Sequence, residues 1–146
     1  MEVGEHMNEN FTIHDKLATL SLFGLGVFVD IRGVYWLISQ EKVINESEFY
    51  RELNEVMPIW IWGLILLVFG TCLILSSLFF GKRSVNNTSS YFMLVGGVGS
   101  AIIHFLMSSA SVYNAINWIT PAQFIAITAW LGFVGFLGGL GIYGRR

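Results

Sequence analysis

Four apolar runs, residues 17–38, 59–80, 91–113 and 122–143, constrain this chain more than any other feature, and each is 22 or 23 residues long. At a rise of about 1.5 Å per residue each makes a helix of ~33 Å, enough to cross a hydrocarbon core of ~30 Å with slight tilt. In lipid every backbone N–H and C=O must find its partner within the protein, so a spanning segment of this kind is a helix. Charged residues make up only 12% of the 146-residue chain, about half the proportion usual in soluble domains. The expected fold is therefore an all-α membrane protein, with four transmembrane helices in an up-down-up-down bundle and one integral membrane domain over residues 1–146. The bilayer is its first partner.

The first run carries the chain's most demanding residues. Asp30 and Arg32 stand near its middle, in Asp30-Ile31-Arg32. Each ionisable group at that depth costs at least ~2.5–3.5 kcal/mol on insertion scales, and such groups usually face protein or water. Two residues apart on a helix, the pair is about 200° apart in azimuth and cannot easily join. Gly26 and Gly33 flank Asp30 at i−4 and i+3 and let another helix approach. Arg32 shares a face with Phe28, Tyr35 and Trp36, and is expected to reach outwards over those rings. Asp30 is shorter and needs a partner. His104, in the third run, lies at nearly the same depth. An Asp30–His104 hydrogen bond, within or between subunits, is one expectation; pairing of Asp30 with Arg32 of a neighbouring copy is the other.

Basic residues set the orientation. One side receives Lys16, Lys82, Arg83, Arg145 and Arg146; the other receives Lys42 and Arg51 among several glutamates. This imbalance places both termini in the cytoplasm, with the plasma membrane as the expected location. Trp36, Trp60, Trp62 and Trp118 then fall at the outer interface, with Trp130 deeper. Residues 1–16 read as a polar tail without a basic leader, and the first span is expected to act as its own uncleaved insertion signal.

The outer loop has a pattern of its own. Asn45 followed by Glu48 matches a capping box, and Phe49, Leu53, Val56 and Met57 recur at helical spacing. A short amphipathic helix over residues 46–57 is expected, with those four side chains as its apolar face. Pro58 starts or kinks the second span. Thr120-Pro121-Ala122-Gln123 reads as a capped helix start, with Thr120 as N-cap.

Small residues mark helix contacts. Gly132, Gly135 and Gly139 align on one face of the fourth span with Thr128, and Gly26 and Gly33 on the first. Gly138, Gly141 and Gly144 thin the inner end of the fourth span. In the third span Ser100, His104, Ser108 and Ser111 form a polar stripe, which lines a wet path on one reading and packs tightly on the other.

Several function classes are excluded or weakened. A formal charge of −2 offers nothing to nucleic acid, and the single cysteine, Cys72, excludes an intrachain disulfide and a multi-cysteine metal site. No cofactor or metal is expected. There is no HExxH, glycine-rich phosphate loop or nucleophile elbow, so no enzyme is expected. The leading expectation is a self-associating membrane protein, a homo-oligomeric pore lined by Ser100, His104, Ser108 and Ser111. The alternative is an adaptor, immunity or exclusion factor that binds another membrane protein. A proton-coupled transporter is the third, weakened by the absence of a mid-span proline and of an inverted repeat.

Overall fold

The computed structural model describes residues 13–82, 87–114 and 118–144. It is helical, with six α-helices in the order α1 (Ile13–Ile38), α2 (Gln40–Glu46), α3 (Glu48–Val56), α4 (Ile59–Phe79), α5 (Thr88–Asn114) and α6 (Ile119–Tyr143), and a 3-10 turn at Phe80–Lys82 after α4. The long helices α1, α4, α5 and α6 are each long and apolar enough to cross a membrane. The polar residues 1–12, and the basic residues Arg83, Arg145 and Arg146, lie outside the described residues.

Three of the spans, α1, α5 and α6, start before their apolar segments, whereas α4 keeps within its own. The helix α1 starts at Ile13, with Asp15 in its first turn, where a carboxylate complements the positive end of the helix dipole. The fourth span is not capped by Thr120. It begins a residue earlier, at Ile119, behind an αR Trp118 with no side-chain cap bond. Pro121 then falls in the first turn, where its missing N–H would have had no intrahelical acceptor.

The outer loop is two helices rather than the single one expected. The break falls at Ser47, which is extended (φ −159°, ψ 156°) and whose Oγ accepts from the Tyr50 N–H at 3.4 Å. Ser47, not Asn45, is thus the N-cap of α3. Asn45 instead donates back to the Glu41 carbonyl at 2.8 Å within α2. The re-entry into α4 is tied down twice. Asn54 Oδ1 accepts from the Ile59 N–H at 3.0 Å, and Trp62 Nε1 donates to the Met57 carbonyl at 3.1 Å.

Close backbone approach organises the spans. The main helix–helix contacts join α1 to α4, α4 to α5 and α5 to α6. Lipid supplies no hydrophobic drive for helix association, so surface match and hydrogen bonds must do it. Gly26 and Gly33 of α1 meet Gly70 and Gly63 of the antiparallel α4: a Cβ placed on Gly33 would stand 2.8 Å from the Gly63 carbonyl oxygen, and one on Gly26 would stand 2.8 Å from that of Gly70. Between α5 and α6 the crossing is Gly97 on Gly135, where a Cβ on Gly97 would lie 2.5 Å from the Gly135 nitrogen. Gly138 is as tightly enclosed by Leu94 and Ser90, whereas Gly132 and Gly139 have room. The close contact of α6 is therefore made by Gly135 and Gly138 rather than by the Gly135/Gly139 pair expected from sequence. Near the connection from α4 to α5, Ser76 and Ser89 clamp the two helices by exchanging hydrogen bonds: each hydroxyl donates to the other's carbonyl, at 2.9 and 3.0 Å.

Candidate functional site

The polar residues of α1 divide between two sides of that helix. Val29, fully buried, and Gly33 point into the α1–α4 contact. Phe28 and Arg32, four residues apart, turn to α5 and α6. Asp30, about 200° from each of these, turns to the opposite flank.

Arg32 does not reach outwards over Tyr35 and Trp36. Its guanidinium lies inside the capped end of the bundle, with Cζ 5.0 Å from the centre of the Phe124 ring on α6 and Nη1 4.0 Å from Met107 Sδ on α5. The Tyr50 hydroxyl of α3 is its hydrogen-bonding neighbour, and Glu46 acts on it through space. The loop helices hold this arrangement from above. Trp36 is buried and meets the Tyr50 ring edge-on at 5.7 Å, and the Tyr35 hydroxyl donates to Glu46 Oε1 at 2.5 Å. Trp36 is thus part of the core, not of an interfacial belt, whereas Trp60 and Trp118 are exposed. Burial pushes the Tyr50 hydroxyl above the ordinary phenol range, against the opposing pull of Arg32.

This cap also revises the apolar face assigned to the outer loop. Leu53 packs against the core and Met57 is half-buried, but Val56 is 80% exposed. The side chain of Phe49 lies outside what the structure describes. Tyr50, absent from the sequence-based face, is its central residue. The packing of Tyr50 against Trp36 and beside Arg32 turns this side of α3 to the bundle.

His104 is completely buried one turn below Met107. Its Nδ1 is 2.9 Å from the Ser100 carbonyl oxygen, its ring lies 6.1 Å from that of Phe28, and Nε2 has no hydrogen-bond partner. Ser100 and Ser108 are buried and Ser111 is half-buried, with its hydroxyl donating to the Ser108 carbonyl at 2.8 Å. The stripe of α5 thus faces its own chain's interior.

Asp30 and His104 do not meet within the chain. The carboxyl of Asp30 lies against the Gly70 backbone, and its hydrogen-bonding neighbour is Thr71 of α4. Its Oδ1 is buried in that contact and has no hydrogen-bond partner. Thr71 is exposed and Asp30 half-buried, so this polar pair opens on the outer flank of the α1–α4 seam, among exposed Ile31, Val34, Leu64 and Val68. The half-buried Arg32 has Phe124, Met107 and Tyr50 of its own chain as neighbours.

Two features of this site were absent from the sequence-based expectation: the α4 glycines and the aromatic partners of Arg32. Gly63 and Gly70 are seven residues apart, as are Gly26 and Gly33, and this equal spacing is the signal that could have paired them. Nothing in the sequence singles out Phe124 or Met107 as neighbours of Arg32.

Four long apolar helices, an apolar outward surface and a mainly apolar core that also buries serines and His104 define a polytopic integral membrane protein of the helical-bundle class. Comparison with protein-family models, curated protein sequences and solved structures returns no match.

Proposed function

We propose that this protein is a membrane interaction protein, an adaptor or exclusion factor, that docks a transmembrane helix of another membrane protein against the α1–α4 flank at Asp30 and Thr71. The carrying observation is the half-buried Asp30, paired with the exposed Thr71 on a flank otherwise made of exposed apolar side chains. An acidic group facing lipid is costly, and a donor from a neighbouring helix removes much of that cost. The matching partner presents Lys, Arg or an amide or hydroxyl donor at the same depth. The basic residues orient the chain with both termini in the cytoplasm.

Self-association through a pore has less support. Gly26 and Gly33 of α1, and Gly135 and Gly138 of α6, are taken up by close contacts with α4 and α5. The α5 stripe has its own chain as neighbour. A photo-crosslinking residue in place of Val68, in native membranes, tests the proposal. An adduct with a different membrane protein, lost in Asp30→Leu, is expected. An adduct only between copies of this chain replaces the adaptor with a homo-oligomer, and absence of any protein adduct overturns docking at this flank.

A further inference from the structure

Independently of what Asp30 docks, the capped end of the bundle holds two opposite charges that do not bond to one another. Arg32 has Tyr50 as its hydrogen-bonding neighbour, and Glu46 acts on it only through space. Glu46 is exposed, and its Oε1 accepts from the Tyr35 hydroxyl, which ties it to α1. A guanidinium carries five N–H donors. A phenol, a ring face and a thioether at 4.0 Å do not use them all.

The two charges have a definite order relative to the bilayer. Arg32 lies six residues, about 9 Å, below the end of α1 at Ile38. Glu46 ends α2, in the cap above it. Exposed Trp60, at the start of α4, and Trp118, just before α6, mark the polar–apolar boundary at this end. The cation is therefore deeper and the carboxylate shallower. The flank beside them is open. Half-buried Arg32 shares its face of α1 with exposed Phe28 and Tyr35, and α1 and α6 share little contact beyond the Arg32–Phe124 pair. Ile125, next to Phe124 on α6, is exposed. The surrounding charge is mostly of one sign: residues 39–57 carry five glutamates against Lys42 and Arg51.

We propose that Arg32 and Glu46 together bind the headgroup of one zwitterionic phospholipid of the phosphoethanolamine class, seated on the α1–α6 seam beside the α2–α3 cap. The phosphodiester accepts from the guanidinium, whose fork suits two oxygens at once. The primary ammonium, on the water side of the phosphate, donates to the Glu46 carboxylate. The charges of the lipid thus follow the same order along the membrane normal as those of the protein. The acyl chains run down over Phe28 and Ile125. An anionic phospholipid brings the phosphate without a compensating cation, opposite a cap rich in glutamate, and is the weaker ligand.

Native mass spectrometry of the full-length protein tests this, in maltoside micelles doped with phosphatidylethanolamine, phosphatidylcholine or phosphatidylglycerol of identical chains. One phosphatidylethanolamine is expected to stay bound, about fivefold more tightly than phosphatidylglycerol, the scale of one exposed charge pair. Arg32→Gln loses the bound lipid. Glu46→Gln keeps one but no longer prefers ethanolamine to glycerol. Should Arg32→Gln fail to fold, crystals of the wild-type protein grown from a phosphatidylethanolamine-doped lipid phase decide: a phosphate beside the guanidinium supports the site, and its absence overturns it. Equal retention of phosphatidylethanolamine and phosphatidylglycerol by the wild type, or retention that survives Arg32→Gln, also overturns the site. Equal retention of phosphatidylcholine, or an ethanolamine preference that survives Glu46→Gln, overturns the ammonium–Glu46 contact. Displacement of the lipid by an equal concentration of tail-less glycerophosphoethanolamine overturns the lipid in favour of a soluble phosphodiester.

Discussion

The guanidinium of Arg32 stands 5.0 Å from the centre of the Phe124 ring, across the capped end of the bundle from α1 to α6. These helices share little other contact, because α1 packs mainly on α4 and α6 on α5. The ring is thus a tie between the two helical pairs. Replacing Phe124 with Leu keeps an apolar side chain and removes the π face. The expected loss is about 1–2 kcal/mol, the range for a desolvated cation–π contact, with Phe124→Trp close to wild type. Unfolding in mixed micelles measures both, and equal stability of the Leu variant would show that the ring does not hold Arg32.

Glycines of similar sequence context should respond oppositely. A Cβ on Gly97 meets the Gly135 backbone at 2.5 Å, whereas one on Gly24 meets nothing within 4 Å. Gly97→Ala must push α6 from α5 and should cost ~1–3 kcal/mol. Gly24→Ala should be neutral or stabilising by up to ~1 kcal/mol, since alanine restricts the unfolded chain and favours helix. The same micelle titration checks the pair; equal effects would contradict the crossing described.

The Ser76–Ser89 clamp predicts a coupling. The two hydroxyls are 3.2 Å apart and fully buried. A double-alanine cycle should return an interaction of about 0.5–1.7 kcal/mol, the range for buried polar pairs in membrane proteins. With Cys72 changed to Ser, Ser76→Cys and Ser89→Cys together should oxidise to an intrachain disulfide. A gel showing only crosslinked dimers would contradict the α4–α5 contact.

The cap predicts an alkaline transition. The Tyr50 hydroxyl ionises above its ordinary value of about 10, mainly because it is buried. A phenol whose folded value is raised stabilises the fold fully below the unfolded value, and that contribution is lost as pH rises through the folded one. Trp36 lies against the Tyr50 ring, so tryptophan emission should change as pH is raised past about 10. Tyr50→Phe should lack this transition; an identical pH profile would assign it to another group.

Much of the fold was legible in the sequence because membrane spans are dictated locally. Backbone bonds must close within each segment, so an apolar run of sufficient length becomes a helix whatever its neighbours do. The runs containing Val29, Leu66, Ile103 and Leu131 all became helices. Local chemistry was less decisive at the ends. Thr120 has a capping side chain, but the helix began at Ile119, and the outer loop broke at Ser47. Helix ends depend on which turn the tertiary contacts fix, and the cap's contacts with Trp36 and Arg32 set the phase of α3.

The site was legible in residue type but not in partner. Asp30, Arg32 and His104 stood out because ionisable groups are scarce in lipid. Their depth along the helix was readable from counting, and it placed Asp30 level with His104. Azimuth was not readable to the same degree. A shared depth permits contact only when both side chains turn the same way, and Phe28 and Arg32 occupy the side of α1 that faces α5.

The sequence by itself determined that four helices cross a membrane, that two opposite charges sit within the first, and that the two cannot satisfy each other. Tertiary structure alone decided where each charge turned. Glycine pairs at Gly26–Gly70 and Gly33–Gly63 bring α1 and α4 together at backbone distance, which fixes the rotation of α1. That rotation leaves Asp30 beside Thr71 on the outer flank and carries Arg32 under Tyr50, between Met107 and Phe124. Helix rotation is set by surfaces far apart in the chain, so no stretch of sequence contains it.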